Sequence, residues 1–305
     1  MKTAILTAIL LCLSLASCYQ VENKEVMGTF AEIKTTNSGK IEEAFSEIRR
    51  IESVMSIYDE NTEISGLNKL KEKKVSDELL SLIMKSLYYS NISKGAFDIT
   101  ILPLLDLYRH SFSTAGQPPS EEEINSELRK VGFSNVKINS NIVTLENNAS
   151  IDLGGIAKGY AIDRAMKIIE KGIVNIGGDL AVKGKTHYIA LVDPDNKDNF
   201  ITKFKLQDGC IATSGNYERY FDKEKKAHHI MDPRTGRSAQ GIISVTVIGK
   251  NKNAVDCDAL ATSVFVLGKN DGLNLIDSLQ DFETLIIDDQ NNIFRSKNIR
   301  DFEVS

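Results

Sequence analysis

A chain of 305 residues with 42% hydrophobic content can bury one large core or two smaller ones, which excludes a disordered protein. The formal net charge is −5, with acidic and basic residues interspersed, so no basic stripe points to nucleic acid as a partner. The cysteines show no CxxC or Cys/His spacing, which excludes a structural zinc site.

The chain begins MKTAILTAILLCLSLASC, in which Lys2 precedes an apolar run too short to span a bilayer comfortably. This is the shape of a secretory signal. Leu15-Ala16-Ser17-Cys18 resembles the lipobox of bacterial lipoproteins. The domain reading is therefore a signal peptide over 1–17, a lipidated Cys18 and one domain over 19–305, anchored by acyl chains to a bacterial membrane and facing the periplasm. Besides Cys18, the mature chain keeps Cys210 and Cys257, read as two partly buried small residues whose pairing the sequence leaves open.

Residues 41–55 place Ile41, Ala44, Phe45, Ile48, Ile51 and Met55 at helical spacing. Residues 75–90 repeat that pattern behind Ser76 as N-cap. The intervening MSIYDENTEISGLN reads as a loop, and 113–123, with Pro118 and Pro119, as a surface excursion before a short helix. VKINSNIVTL, 136–145, reads as a hairpin. Ile151 and Leu153 read as the end of a strand, Gly154 and Gly155 as a tight turn, and Ala157 to Glu170 as a helix. YIALVD, ITKFKL and IISVTVIG follow as strands, and 258–267 and 271–279 as helices. Strands and helices mix without a regular βαβ beat, which predicts an α+β fold with no repeat and no interdomain linker.

The glycine turn at 154 and 155 aims unpaired amides outward at the mouth of a helix, as anion sites do. It is neither GxxxxGK[ST], since Lys158 precedes Gly159, nor GxGxxG. Asp258 and Thr262 are four apart, so on a helix a carboxylate and a hydroxyl share one face, an oxygen pair suited to Mg²⁺. Taken alone, the same pair also reads as an N-cap and a back-bonded threonine. In HHIMDPRTGR, 228–237, His229 sits beside an excellent turn. Thr213 and Ser214 precede Gly215 without a GxSxG elbow, which argues against a serine hydrolase. Met27 in VMGTF and Tyr58 near Ser56 suit the two faces of a flat ring, and Asp98 in GAFDIT suits an exocyclic amine or a ribose hydroxyl.

MGT, SxY, GAFDIT, DLGGIAKGYAID, NIGGD, ATSGNYERYF, HxxDPRTG and DxxxT, in this order after the signal, resemble the ApbE-type FAD:protein FMN transferases. The resemblance implies a single α+β domain of T-fold-like architecture with a cleft for FAD and Mg²⁺. The family cleaves the FAD pyrophosphate and transfers FMN to a threonine or serine hydroxyl of an exported protein, releasing AMP. By similarity, the Gly155 carbonyl, Asp258 and Thr262 hold Mg²⁺, while Met27, Ser56, Tyr58, Asp98, Lys158, His229 and Ile230 bind FAD. His229 is the candidate catalytic base, since an imidazole with its ordinary pKa suits the role, with Asp256 or a metal-bound water as alternatives. Of the doubled histidines, His229 rather than His228 aligns with the family's residue. The implied partners are exported flavin acceptors of respiratory sodium pumps and related electron-transfer complexes. Two other readings fit the same cleft: a Mg²⁺-dependent FAD pyrophosphatase and a non-catalytic FAD-binding lipoprotein.

Overall fold

A computed structural model describes residues 19–196, 198–222 and 227–304, so the signal-like segment and Cys18 lie outside the described residues. The fold opens with a hairpin of β1 (Gln20–Val26) and β2 (Thr29–Thr35), paired from Gln20 against Thr35 to Val26 against Thr29. Met27 and Gly28 turn between them at φ of 51° and 68°. Both angles lie in the left-handed region that a two-residue hairpin turn of this hand requires.

α1 (Ile41–Met55) buries the face its spacing predicts, including Phe45, Ile48 and Ile51. The stretch read as a loop after it holds a second helix, α2 (Glu63–Leu70), whose cap Thr62 accepts from Ser65 N at 3.2 Å. Two buried residues, Ile64 and Leu67, are too few to register as a period. β3 (Glu72–Lys74) leads to α3 (Asp77–Ile92), capped as expected by Ser76, which accepts from Leu79 N at 3.2 Å. α4 (Leu102–Ala115) is absent from the sequence reading, and the excursion at 113 begins in its last turn. α5 (Glu121–Leu128) follows behind a capping box of Ser120 and Glu123.

β4 (Val136–Asn139) and β5 (Ile142–Leu145) form the expected hairpin, with β3 on the other side of β5. Ile151 to Leu153, however, is not a strand. The Asn68 side chain of α2 accepts from Ile151 N at 2.7 Å and donates to Ile151 O at 2.8 Å, and Asp152 N donates to Ile99 O at 2.8 Å. The extended backbone is satisfied by a side chain instead of a ladder.

α6 (Ala157–Ile169) starts where predicted. Then come β6 (Gly172–Ile176), β7 (Asp179–Lys183), β8 (His187–Val192), β9 (Phe200–Leu206) and β10 (Gly209–Gly215). β11 (Met231–Asp232) and β12 (Arg237–Ser238) flank the Pro233 turn, and β13 (Ile242–Lys250) precedes α7 (Ala254–Asp277). The two helices predicted at 258–267 and 271–279 are one element broken at Gly268, where φ is 76° and ψ −177°. It begins four residues early, behind Asn253, so Asp258 lies inside the helix and is not its cap. β14 (Phe282–Asp288), β15 (Ile293–Arg295) and β16 (Glu303–Val304) close the chain.

One eight-stranded antiparallel sheet, ordered β1-β2-β6-β7-β10-β13-β14-β15, forms the centre. α1, α6 and α7 pack their apolar residues on one face to form the main core. On the other face Ile173, Val182, Ile211 and Leu285 meet Ile189 and Phe204 of the small sheet β16-β9-β8. The α+β expectation holds. Among the described residues no helix is long and apolar enough to cross a membrane.

Cys210 of β10 and Cys257 of α7 are joined by a disulfide with Cα atoms 6.5 Å apart, and both are fully buried. They are therefore not the two separate small residues of the sequence reading. Gly249 makes room for the bond, since a Cβ there would stand 2.9 Å from either sulfur.

Candidate active site

A cleft of about 800 Å³ opens where the β1-β2 turn, the ends of α1 and α4, the glycine turn before α6, and β10 and α7 converge. Met27, Ser56, Tyr58, Asp98, Gly155, Lys158, His229, Ile230, Asp258 and Thr262 all line it. The structure thus brings together every residue that the sequence suggested for FAD and metal binding, whereas Cys18 lies outside the described residues. Asp256, the alternative base, is not among the lining residues. Its carboxylate accepts from Tyr89 Oη at 2.7 Å and pairs with Lys85 at 2.6 Å, because two positions along a helix turn a side chain away from Asp258.

The charged half is built by a close helix crossing. A Cβ on Gly159 would lie 2.4 Å from Ala254 O and 2.6 Å from Val255 Cα, so α6 and α7 touch backbone to backbone. Asp163, one turn further along α6, accepts Ala254 N at 2.7 Å and Val255 N at 3.0 Å, the first free amides of α7. At this crossing Gly159 N donates to Asp258 Oδ2 at 2.9 Å. Gly155 packs on the next turn, where a Cβ would stand 3.3 Å from Thr262 Oγ1.

Lys158 reaches back between two carboxylates, in an ion pair with Asp179 and 3.5 Å from Asp258 Oδ1. Asp179 is 1% exposed and Asp258 2%. Burial pushes the Asp258 carboxyl up to about 6, against the lowering influence of Lys158. Burial alone would lower the Lys158 ammonium, but Asp179 and Asp258 outweigh it and raise it above the ordinary lysine value. Two buried acids therefore share the one Lys158 cation, which leaves this cluster with more carboxylates than ammonium groups. Among the described residues no three His, Cys, Asp or Glu side chains cluster to hold a metal. A single carboxylate, a threonine hydroxyl and a main-chain carbonyl are instead hard oxygen donors, which fit Mg²⁺ with the unbalanced charge to match.

His229 and His228 part company. His228 is 3% exposed, bonds through Nε2 to Ala239 O at 2.8 Å and sets its ring edge to face against Phe265. His229 lines the cleft, with Nδ1 3.2 Å from Arg219 O. A carbonyl can only accept, so Nδ1 carries the proton and Nε2 is the basic nitrogen. Burial pushes this imidazole down to about 4 rather than leaving it at its ordinary value, so it is neutral at pH 7.

Tyr58, also in the cleft lining, is 73% exposed, and Arg109 of α4 stacks 5.7 Å from its ring centre. Asp98 is largely committed to the protein: Oδ1 accepts Thr100 N at 2.8 Å and Thr100 Oγ1 at 2.6 Å, and Oδ2 accepts Phe133 N at 2.7 Å. Sequence reasoning missed Arg109, Asp152 and Asp179. Asp152 lines the cleft and caps the glycine turn through Gly154 N at 2.8 Å. For Asp179 the NIGGD string was the available signal, an acid straight after a glycine turn.

The ApbE family profile matches residues 27–286. A FAD:protein FMN transferase of Vibrio cholerae is 28% identical over 253 residues, covering 76% of this chain and 75% of that relative. Another, of Haemophilus influenzae, is 27% identical over 308 residues and covers 88% of each chain. A crystal structure of an ApbE protein from Thermotoga maritima superposes with a TM-score of 0.87 at 32% identity, covering 94% of this chain and 100% of the other.

Proposed function

The chain belongs to the ApbE family, and from that premise we propose that it transfers FMN from FAD to an acceptor protein. The observation that carries the reading is the one cleft lined by an aromatic ring and a thioether, Tyr58 and Met27, together with Lys158, Asp258, Thr262 and His229. A dinucleotide that carries both a flat ring and a pyrophosphate matches that mixed lining.

We propose Mg²⁺ as the cofactor, held by the Gly155 carbonyl, Asp258 and Thr262. When bound, the ion neutralises pyrophosphate charge and lowers the barrier to displacement at phosphorus. The Lys158 ammonium supplies a further positive charge on the same floor, fixed before the substrate arrives. A threonine or serine hydroxyl of the acceptor attacks the FMN-side phosphorus, Nε2 of His229 takes its proton, and the bond to the AMP phosphate breaks with both electrons leaving on AMP. The proton then passes to solvent or to AMP. Positioning and electrostatics dominate such a transfer.

We further propose that the chain is exported through its signal-like segment, held to a bacterial membrane by a lipidated Cys18 and turned toward the periplasm, where exported electron-transfer subunits are the acceptors. The buried Cys210 to Cys257 bond supports an oxidising compartment. The test incubates the mature chain with FAD, Mg²⁺ and an acceptor domain, weighs the acceptor intact and follows AMP. A chelator-sensitive gain of one FMN is expected. AMP without an adduct on any acceptor tried points to the pyrophosphatase, and bound FAD with neither product to a flavin-binding lipoprotein.

A further inference from the structure

Lys158 stands between two buried acids, and the one it pairs with is not the one assigned to the metal. Its Nζ forms the close ion pair with Asp179, while Asp258 Oδ1 is the looser contact at 3.5 Å. Asp179 is rigidly placed: it starts β7 straight after the Gly177-Gly178 turn, is 1% exposed, and its Oδ1 accepts Thr213 N of β10 at 2.9 Å. Unlike Lys158 and Asp258, it does not line the cleft. Asp258 already spends Oδ2 on Gly159 N, which leaves Oδ1 as its open oxygen.

An ammonium and a divalent cation compete for that oxygen, because like charges held at contact distance repel. Without Asp179, the partly buried Lys158 loses its contact ion partner, and Asp258 is the nearest acid left, with Glu218 a weaker influence from the same cleft, so the ammonium closes on Asp258. We propose that Asp179 is a positioning residue that draws the Lys158 ammonium away from Asp258, keeping Oδ1 open to Mg²⁺ while the lysine stays at the floor of the cleft. This rests on the metal assignment above and deepens it: the acid of NIGGD acts on metal binding through the lysine of GGIAKG.

The test is a thermodynamic cycle on the full-length protein, read by electron paramagnetic resonance of added Mn²⁺ alone, without FAD or acceptor. Asp179→Asn keeps an acceptor for Thr213 N, and Lys158→Gln keeps a donor toward position 179 without the charge. Asp179→Asn is expected to weaken Mn²⁺ binding about tenfold, the usual scale for a group behind a metal ligand. In the Lys158→Gln background the same change should have no effect, and excess Mg²⁺ should restore transfer by Asp179→Asn. Unchanged Mn²⁺ affinity in Asp179→Asn overturns the proposal, as does equal weakening in both backgrounds, which would mean that Asp179 acts by its charge alone. If Asp179→Asn does not fold, Lys158→Gln by itself decides: it should bind Mn²⁺ more tightly than the wild type, and no gain refutes the competition. Because no flavin is present, a failed acceptor assay beside a normal Mn²⁺ cycle would count against the transferase reading and not against this one.

Discussion

Replacing Gly159 by alanine tests the helix crossing on which the charged half of the cleft depends. In an ordinary helix the change would stabilise by about 1 kcal/mol, since alanine is the better helix former. Here the added Cβ would meet Ala254 O at 2.4 Å and Ala254 C and Val255 Cα at 2.6 Å, all of them backbone atoms that no rotamer change can move. Restoring contact near 3.5 Å requires α6 and α7 to part by roughly 1 Å. Overpacking of this kind costs about 1 to 3 kcal/mol. The bond from Gly159 N to Asp258 Oδ2, now 2.9 Å, is lost or stretched, and a hydrogen bond to a buried charge is worth about 1.5 to 3 kcal/mol. Set against the propensity gain, the net expectation is a loss of about 3 kcal/mol. Displacement of Asp258 relative to Lys158 should also lower FMN transfer about 100-fold even where the variant is fully folded. Urea unfolding gives the first quantity and intact-mass transfer kinetics the second. A variant as stable as the wild type, with transfer within a few-fold of it, would refute the backbone contact and the argument built on it.

Asp258→Ala should abolish Mg²⁺-dependent transfer while leaving FAD affinity, followed by flavin fluorescence, within several-fold; normal flavinylation by this variant would remove Asp258 from the metal site. His229→Asn should lower kcat by about 10² to 10⁴, a larger loss than any weakening of FAD binding from the same change. Since burial places the His229 pKa near 4, below the unfolded value, the basic form persists as pH falls, and ring-nitrogen NMR of the free protein should show a transition near 4; a transition near 6.5 contradicts this. Tyr58→Ala removes an exposed stacking surface and should weaken FAD about tenfold in equilibrium titration. Replacing Cys210 and Cys257 by serine opens a loop of 47 residues and should cost about 4 kcal/mol in chemical unfolding on the chain-entropy account.

The site was legible because its residues lie in short strings whose spacing carries their chemistry. Asp258 and Thr262 are one helical turn apart, and Lys158 follows the glycine turn directly. α1 and α3 were legible because one face of each is apolar and the other charged. α4 was not, since Ile99, Ile101, Leu102, Leu104 and Leu105 crowd its start and blur any period. Ile151 and Leu153 alternate like a strand and are fully buried like one, yet Ile151 pairs with an amide 83 residues upstream and the Leu153 carbonyl accepts from Ile156 and Ala157 at the start of α6. Asp179 acquires its role only when the β6-β7 hairpin brings it to Lys158, and Arg109 meets Tyr58 across 51 residues. The disulfide spans 47 residues and likewise depends on β10 and α7 packing together.

The Asn68 amide that brackets Ile151 has a consequence for how the glycine turn is held. A β-ladder would fix several successive residues and impose a straight, regularly alternating path. Asn68 satisfies the N–H and the C=O of one residue, at 2.7 and 2.8 Å, and leaves the chain free to change direction immediately beyond it. The segment is fastened like cloth by a few rivets rather than a seam, Asn68 at Ile151 and the Ile99 carbonyl at Asp152, and passes within three residues into the turn at Gly154 that delivers Lys158.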